Sequence, residues 1–124
     1  MLKYIELKSG YSNNGPAYIG VAQYSKSGKT IYFNGKALGR GNGESGNYFD
    51  IETGDEYWVS SVKKNGEDRH WSGSGKIEIE EAVVSEYLLV TGKTDLNKSK
   101  FTVVKVFKKT DISKINKILN EQLN

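Results

Sequence analysis

The stretch Tyr57-Trp58-Val59-Ser60-Ser61-Val62-Lys63-Lys64-Asn65-Gly66-Glu67-Asp68-Arg69-His70-Trp71 decides the fold. Side chains alternate through its first half, Asn65-Gly66 interrupts it, and a second run ends in an indole. Asn-Gly between two such runs is the strongest short hairpin signal. A turn there pairs Val62 with Arg69 and Ser60 with Trp71. Trp58, Val62 and Trp71 then share one face, while Tyr57, Lys63, Asp68 and His70 share the other. The two indoles make the first face the expected core.

Outward from this hairpin, a Thr53-Gly54 turn pairs Phe49 with Trp58 and Asp50 with Tyr57. Phe49 and Ile51 join the core face, and Tyr48 and Asp50 join the opposite one. Further upstream, a three-residue loop Lys26-Ser27-Gly28 puts glycine where a left-handed residue is needed. That register pairs Val21 with Phe33 and Gln23 with Ile31. It gathers Ile19, Val21, Ile31 and Phe33 on one side and Tyr18, Tyr24 and Tyr32 on the other. The tyrosine stripe reads as a base for helix packing rather than a ligand platform.

The predicted strands are 2–9, 17–25, 29–35, 47–52, 56–64, 67–72 with an extension to 79, and 100–107. A 3.6-residue period predicts helices over 80–91 and 111–123. The first has Val83, Val84, Tyr87 and Leu88 on one side and Gly92 as its C-cap. The second has Ile112, Ile115, Ile118, Leu119 and Leu123 on one stripe, with Thr110 or Asp111 as N-cap. The fold class is therefore α+β: a strongly twisted antiparallel sheet, curled into a small SH3-like barrel, with two amphipathic helices. An open sheet with helices on one face is the alternative.

With 124 residues the chain makes one domain, 1–124, β-rich over 1–79 and helix–strand–helix over 80–124. Its 27% charged content and net charge of +3 suit a soluble globule and exclude a disordered chain. The longest apolar runs, such as Tyr87 to Val90, fall far short of the ~20 residues of a membrane span. No cysteine is present, which excludes disulfides and thiolate chemistry and fits a cytoplasmic protein. The N-terminal segment lacks the apolar run of a signal peptide. Charge is uneven: residues 93–124 hold eight lysines against Asp95, Asp111 and Glu121.

Most chemical motifs fail on context. Gly41-Asn42-Gly43-Glu44-Ser45-Gly46 matches GxGxxG, but Asn47 to Ile51 reads as strand, so no helix N-terminus faces a pyrophosphate. Gly28-Lys29, Gly75-Lys76 and Gly92-Lys93 lack the upstream glycine of a P-loop. One histidine and no cysteine suggest neither a metal site nor a cofactor. Asp68 and His70 face the same way, with Cα atoms about 6.5–7 Å apart. Ser61 lies across from His70, so a Ser61–His70–Asp68 triad exists on paper, without an oxyanion hole.

Several segments carry a resemblance: Asn14-Gly15-Pro16-Ala17, Tyr32-Phe33-Asn34-Gly35-Lys36, Gly46-Asn47-Tyr48-Phe49-Asp50, Tyr57-Trp58-Val59-Ser60 and Lys63 to Trp71. Over roughly residues 1–100 the chain resembles a family of small, uncharacterised bacterial proteins, some labelled deoxyxylulose-phosphate synthase. The chain is far too short for that enzyme and lacks a thiamine-diphosphate signature. The resemblance therefore implies no activity and no catalytic residue.

The leading expectation is a non-catalytic binding module. Its ligand would sit at the 63–71 hairpin and the 39–46 glycine-rich loop, with Tyr48, Tyr57, Lys63, Lys64, Asp68, Arg69 and His70 as the binding set. Basic groups beside aromatic faces suit nucleic acid first and a protein partner second. The alternatives are a small enzyme using His70 and Asp68, and a subunit that docks through its C-terminal helix.

Overall fold

The computed structural model describes residues 2–123, the side chains of Gln122 and Leu123 excepted. Leu123, the last residue of the expected apolar stripe, thus has its side chain outside the described set. The described strands are β1 (Leu2–Leu7), β2 (Ala17–Val21), β3 (Gln23–Tyr24), β4 (Thr30–Phe33), β5 (Lys36–Arg40), β6 (Tyr48–Asp50), β7 (Glu56–Ser61), β8 (Ile77–Glu80) and β9 (Phe101–Val104). A 3-10 turn (Glu81–Val83) leads into α1 (Val84–Thr91), and α2 (Ile112–Leu123) follows β9.

These strands form one sheet in the order β3-β4-β5-β6-β7-β1-β2-β8-β9. β2 and β3 are separated by Ala22 alone, yet β3 is an edge and β2 lies deep in the sheet. The sheet must therefore curl so that one bent stretch of chain serves both places. Ile5, Ala22, Ile31, Phe33, Leu38, Tyr57 and Val59 fill the inside of that curl. Tyr18 packs edge-on against Phe33 and Phe107, which tilt against each other, at ring separations of 4.9–5.8 Å. Here Gly20 has no room for a side chain: a Cβ would lie 2.9 Å from the Phe107 ring.

A second core lies on the other face of β1 and β2. Leu2, Tyr4, Ala17, Ile19, Ile77, Ile79, Val83, Tyr87 and Phe101 join β1, β2, β8, β9 and α1. β8 runs parallel to β2, and β9 runs parallel to β8. The sheet is thus mixed, which corrects the antiparallel expectation. The crossover segments 22–76, which hold β3 to β7, and 81–100, which hold α1, carry the chain back to the same end, as parallel pairing demands.

The helices stand close to their predicted limits. Gly92 takes φ +68° and caps α1, its N–H bonding the Leu88 and Leu89 carbonyls. Asp111 caps α2, accepting from the Lys114 N–H at 3.1 Å. Ile115 is buried, and the Thr110 hydroxyl donates to the Lys36 carbonyl at 2.8 Å. The apolar stripe of α2 thus docks, at Ile115 at least, on its own chain.

Three registers differ from expectation. Gln23 pairs with Tyr32 and Tyr24 with Ile31, a one-residue slip that leaves Val21 half exposed. Tyr48 pairs with Tyr57 and Phe49 with Glu56, two residues from the predicted rungs, because residues 51–54 form a longer turn. Most consequentially, no strand spans 62–76 among the described residues. Gly66 does turn with φ +74°, and its N–H bonds the Lys63 carbonyl at 3.0 Å. However, the chain then leaves β7 as a loop, so the 63–71 hairpin is corrected to a turn and an excursion. β5, Lys36–Arg40, lies between the expected strand 29–35 and the body of the 39–46 loop, where no strand was expected.

Candidate functional site

The excursion from Val62 to Lys76 is held by bonds to a second loop, residues 8–16. The Arg69 guanidinium donates to the carbonyls of Asn13 and Gly15, each at 3.0 Å. Asn14 Oδ1 accepts from the Ser74 and Gly75 N–H groups, each at 2.8 Å. Asn13 Nδ2 donates to the Ser72 hydroxyl at 3.2 Å. Gly73 sits so close that a Cβ there would lie 2.1 Å from the Asn13 carbonyl oxygen. Beneath these contacts, buried Glu6 pairs with Lys8 at 2.9 Å and with Arg69 at 3.7 Å, and accepts from the Tyr4 hydroxyl. Burial, reinforced by that bond and charge, pushes the Tyr4 pKa far above the usual phenol value.

Between this excursion and the start of β8 and β9 opens a cleft of about 670 Å³. Lys63, Asp68, Arg69, His70 and Trp71 form one wall, and Ile77, Lys100 and Phe101 form the other. Trp71 is 89% exposed although its neighbours are fastened. This overturns its expected place in the core. Trp58, also expected inside, is 42% exposed. The core face of β7 is instead Tyr57 and Val59, because these two point into the curl. The His70 and Trp71 rings lie 5.3 Å apart at 33°, a tilted pair at the cleft mouth.

The predicted binding residues divide sharply. Lys63, Lys64 and His70 are exposed. Tyr57 is buried inside the curl and Tyr48 packs against the same cluster. The Arg69 side chain is only 7% exposed, and its nitrogens serve Glu6 and backbone carbonyls. Asp68 is 9% exposed, and its Oδ1 accepts from the Lys63 N–H at 2.8 Å. Its Oδ2 is buried without a hydrogen-bond partner among the described residues. Burial raises the Asp68 pKa, against the smaller opposing pull of the Lys63 N–H and charge. Next to it, the buried Tyr87 hydroxyl is pushed up to about 12, first by burial and then by the Asp68 charge.

His70 turns away from Asp68. Its Nδ1 accepts from the Ser72 N–H at 3.2 Å and lies 2.8 Å from the Ser72 hydroxyl. Ser61 Oγ accepts from Lys3 Nζ at 3.3 Å. The three members of the paper triad thus have other partners. Among the described residues no cluster of His, Asp and Glu could hold a metal ion. The 39–46 loop contributes nothing to the cleft lining. Its Ser45 N–H bonds Glu56, and Gly46 lies against the Tyr57 backbone.

Lys100, Phe101 and Ile77 were missed as site residues. No local pattern marks them, since only the parallel pairing of β8 with β9 brings them to Lys63. A smaller cavity, about 60 Å³, adjoins the cleft and shares Gly66, Glu67, Lys100 and Phe101 with it, adding Lys93. Lys63, Lys93 and Lys100 therefore line two adjoining cavities, with Glu67 and Asp95 as their exposed counter-charges. No helix among the described residues is long and apolar enough to cross a membrane. No family model, curated protein or solved structure matches this chain.

Proposed function

We propose that the chain is a non-catalytic, cytoplasmic binding module that takes single-stranded nucleic acid in the Trp71 cleft. The observation that supports this reading is an indole left 89% exposed on a loop anchored at both sides, above lysine-lined walls. Water solvates a free indole poorly, so an exposed one costs less when something flat covers it. Nucleobases present such a face regardless of sequence, while Lys63, Lys93 and Lys100 suit the phosphates between them. The curl of β1–β7 suits the small SH3-like barrel expected from sequence, here serving as a rigid base for two crossing loops.

An oligothymidylate of about 12 nucleotides tests the proposal, read by anisotropy of an attached dye. Trp71→Ala is expected to weaken binding about 5- to 160-fold, the range for loss of one stacked base. Lys63→Ala with Lys100→Ala should flatten the plot of log affinity against log salt by about 1.4. Arg69 stays untouched, because its loss would unfasten the loop and mimic a binding defect. Affinity indifferent to salt and to both variants overturns the reading.

A further inference from the structure

The sheet ends at β9, and its outer edge faces solvent. Thr102 and Val103 are exposed, the latter by 51%. The ladder itself tells which peptide groups are free. The Ile77 N–H bonds the Lys100 carbonyl at 2.9 Å, and Ile77 stands opposite Phe101. In a parallel ladder alternate residues of one strand serve the same neighbour. Lys100, Thr102 and Val104 therefore turn their peptide groups toward β8, and Phe101 and Val103 turn theirs outward. The Phe101 N–H is taken by Asn97 at 3.1 Å. The Phe101 carbonyl and both polar groups of Val103 have no partner among the described residues and stand as an open template.

The surroundings select what pairs there. Lys98 and Lys100 precede the strand and Lys105 follows it, all exposed, with no acidic residue from 96 to 110. The nearest carboxylates of the sheet are Glu78 and Glu80 on β8, and Glu80 already accepts from the Phe107 N–H. A second copy of this chain suits the edge badly. Antiparallel pairing of two β9 edges would gather Lys98, Lys100 and Lys105 of both copies along one seam, and like charges close together across a ladder repel.

We propose that β9 accepts an extended acidic segment of a partner protein as a tenth strand. Backbone hydrogen bonds to Phe101 and Val103 give the affinity, and carboxylates beside Lys98, Lys100 and Lys105 give the selectivity. This edge shares Lys100 and Phe101 with the cleft and leaves it through Thr102 to Lys105; the proposal does not rest on the nucleic-acid reading.

The test uses the full chain and a dye-labelled peptide of alternating glutamate and valine, about eight residues long to span an ordinary strand. The peptide is expected to bind, with affinity falling as salt rises. Methylating alternate backbone nitrogens should weaken it about tenfold while leaving its charge unchanged. Val103→Pro should do the same from the protein side, since an edge strand tolerates proline where the N–H faces outward. Lys105→Glu should also weaken binding, and a lysine–valine peptide should not bind. Four outcomes overturn the proposal: equal binding of the methylated peptide; loss of peptide binding in Trp71→Ala, which would place the peptide in the cleft; concentration-dependent dimerisation through β9; and no binding by the unmodified peptide. The methylated peptide alters nothing in the protein, so misfolding of Val103→Pro cannot hide the answer.

Discussion

Asp68 illustrates how one residue's surroundings set its behaviour. In the unfolded chain its carboxyl ionises near 3.8, and burial in the fold moves that upward. The folded state then holds the proton more tightly than the unfolded one. Its contribution to stability is complete below pH 3.8 and is lost as pH rises through the folded pKa. Asp68→Asn keeps an oxygen for the Lys63 N–H and has no charge to bury. The variant is expected to melt a few degrees above the parent at neutral pH, with the difference closing in acid; thermal melts across pH check this. At this scale the sequence spoke clearly of special backbone: Gly28, Gly66 and Gly92 all take positive φ, as their turns and cap required. It misled over the indoles. Size alone put Trp58 and Trp71 inside, whereas Tyr57 and Val59 satisfy the same alternation from the opposite face and carry the burial.

Among the elements, α1 and α2 were the most legible, because a 3.6-residue period and a cap are both local signals. α2 is exposed on most of its surface, and Ile115 is its one fully buried side chain among the described residues. Ile115→Ala is expected to cost about 2–5 kcal/mol, the usual range for emptying a buried Ile site. Asp111→Ala, which removes only the cap, should cost about 0.5–2 kcal/mol. Urea unfolding monitored by circular dichroism separates the two, and equal small effects would mean that the helix docks elsewhere. The strands were harder. Hairpin registers slipped by one or two residues where a turn held one or two more residues than the shortest fit. β9 and all of β8 but Glu80 lay within predicted strands, but their parallel partners had no turn to announce them. Half of the cleft wall was therefore invisible from sequence.

At the scale of the molecule, two cores share β1 and β2 as a common wall. Strands flanked by both cores can exchange their amide hydrogens only when both come apart. Hydrogen exchange should therefore be slowest in β1, near the global unfolding limit, and much faster in β9 and α2. Mass spectrometry of proteolytic fragments after timed exchange measures this, and comparable rates in β1 and β9 would contradict the two-core arrangement. The candidate cleft lies where a loop from one core meets the last strands of the other. The single residue Ala22, between β2 and β3, carries a further implication. It acts as the notch of a buckle: the same length of backbone fastens to β1 on one side and β4 on the other. The girth of the interior is thereby set by chain length at that notch, not by how many strands lie around it. Extra residues in the 41–46 loop would bulge outward harmlessly, whereas extra residues beside Ala22 would let the belt out and admit water to Ile31 and Phe33.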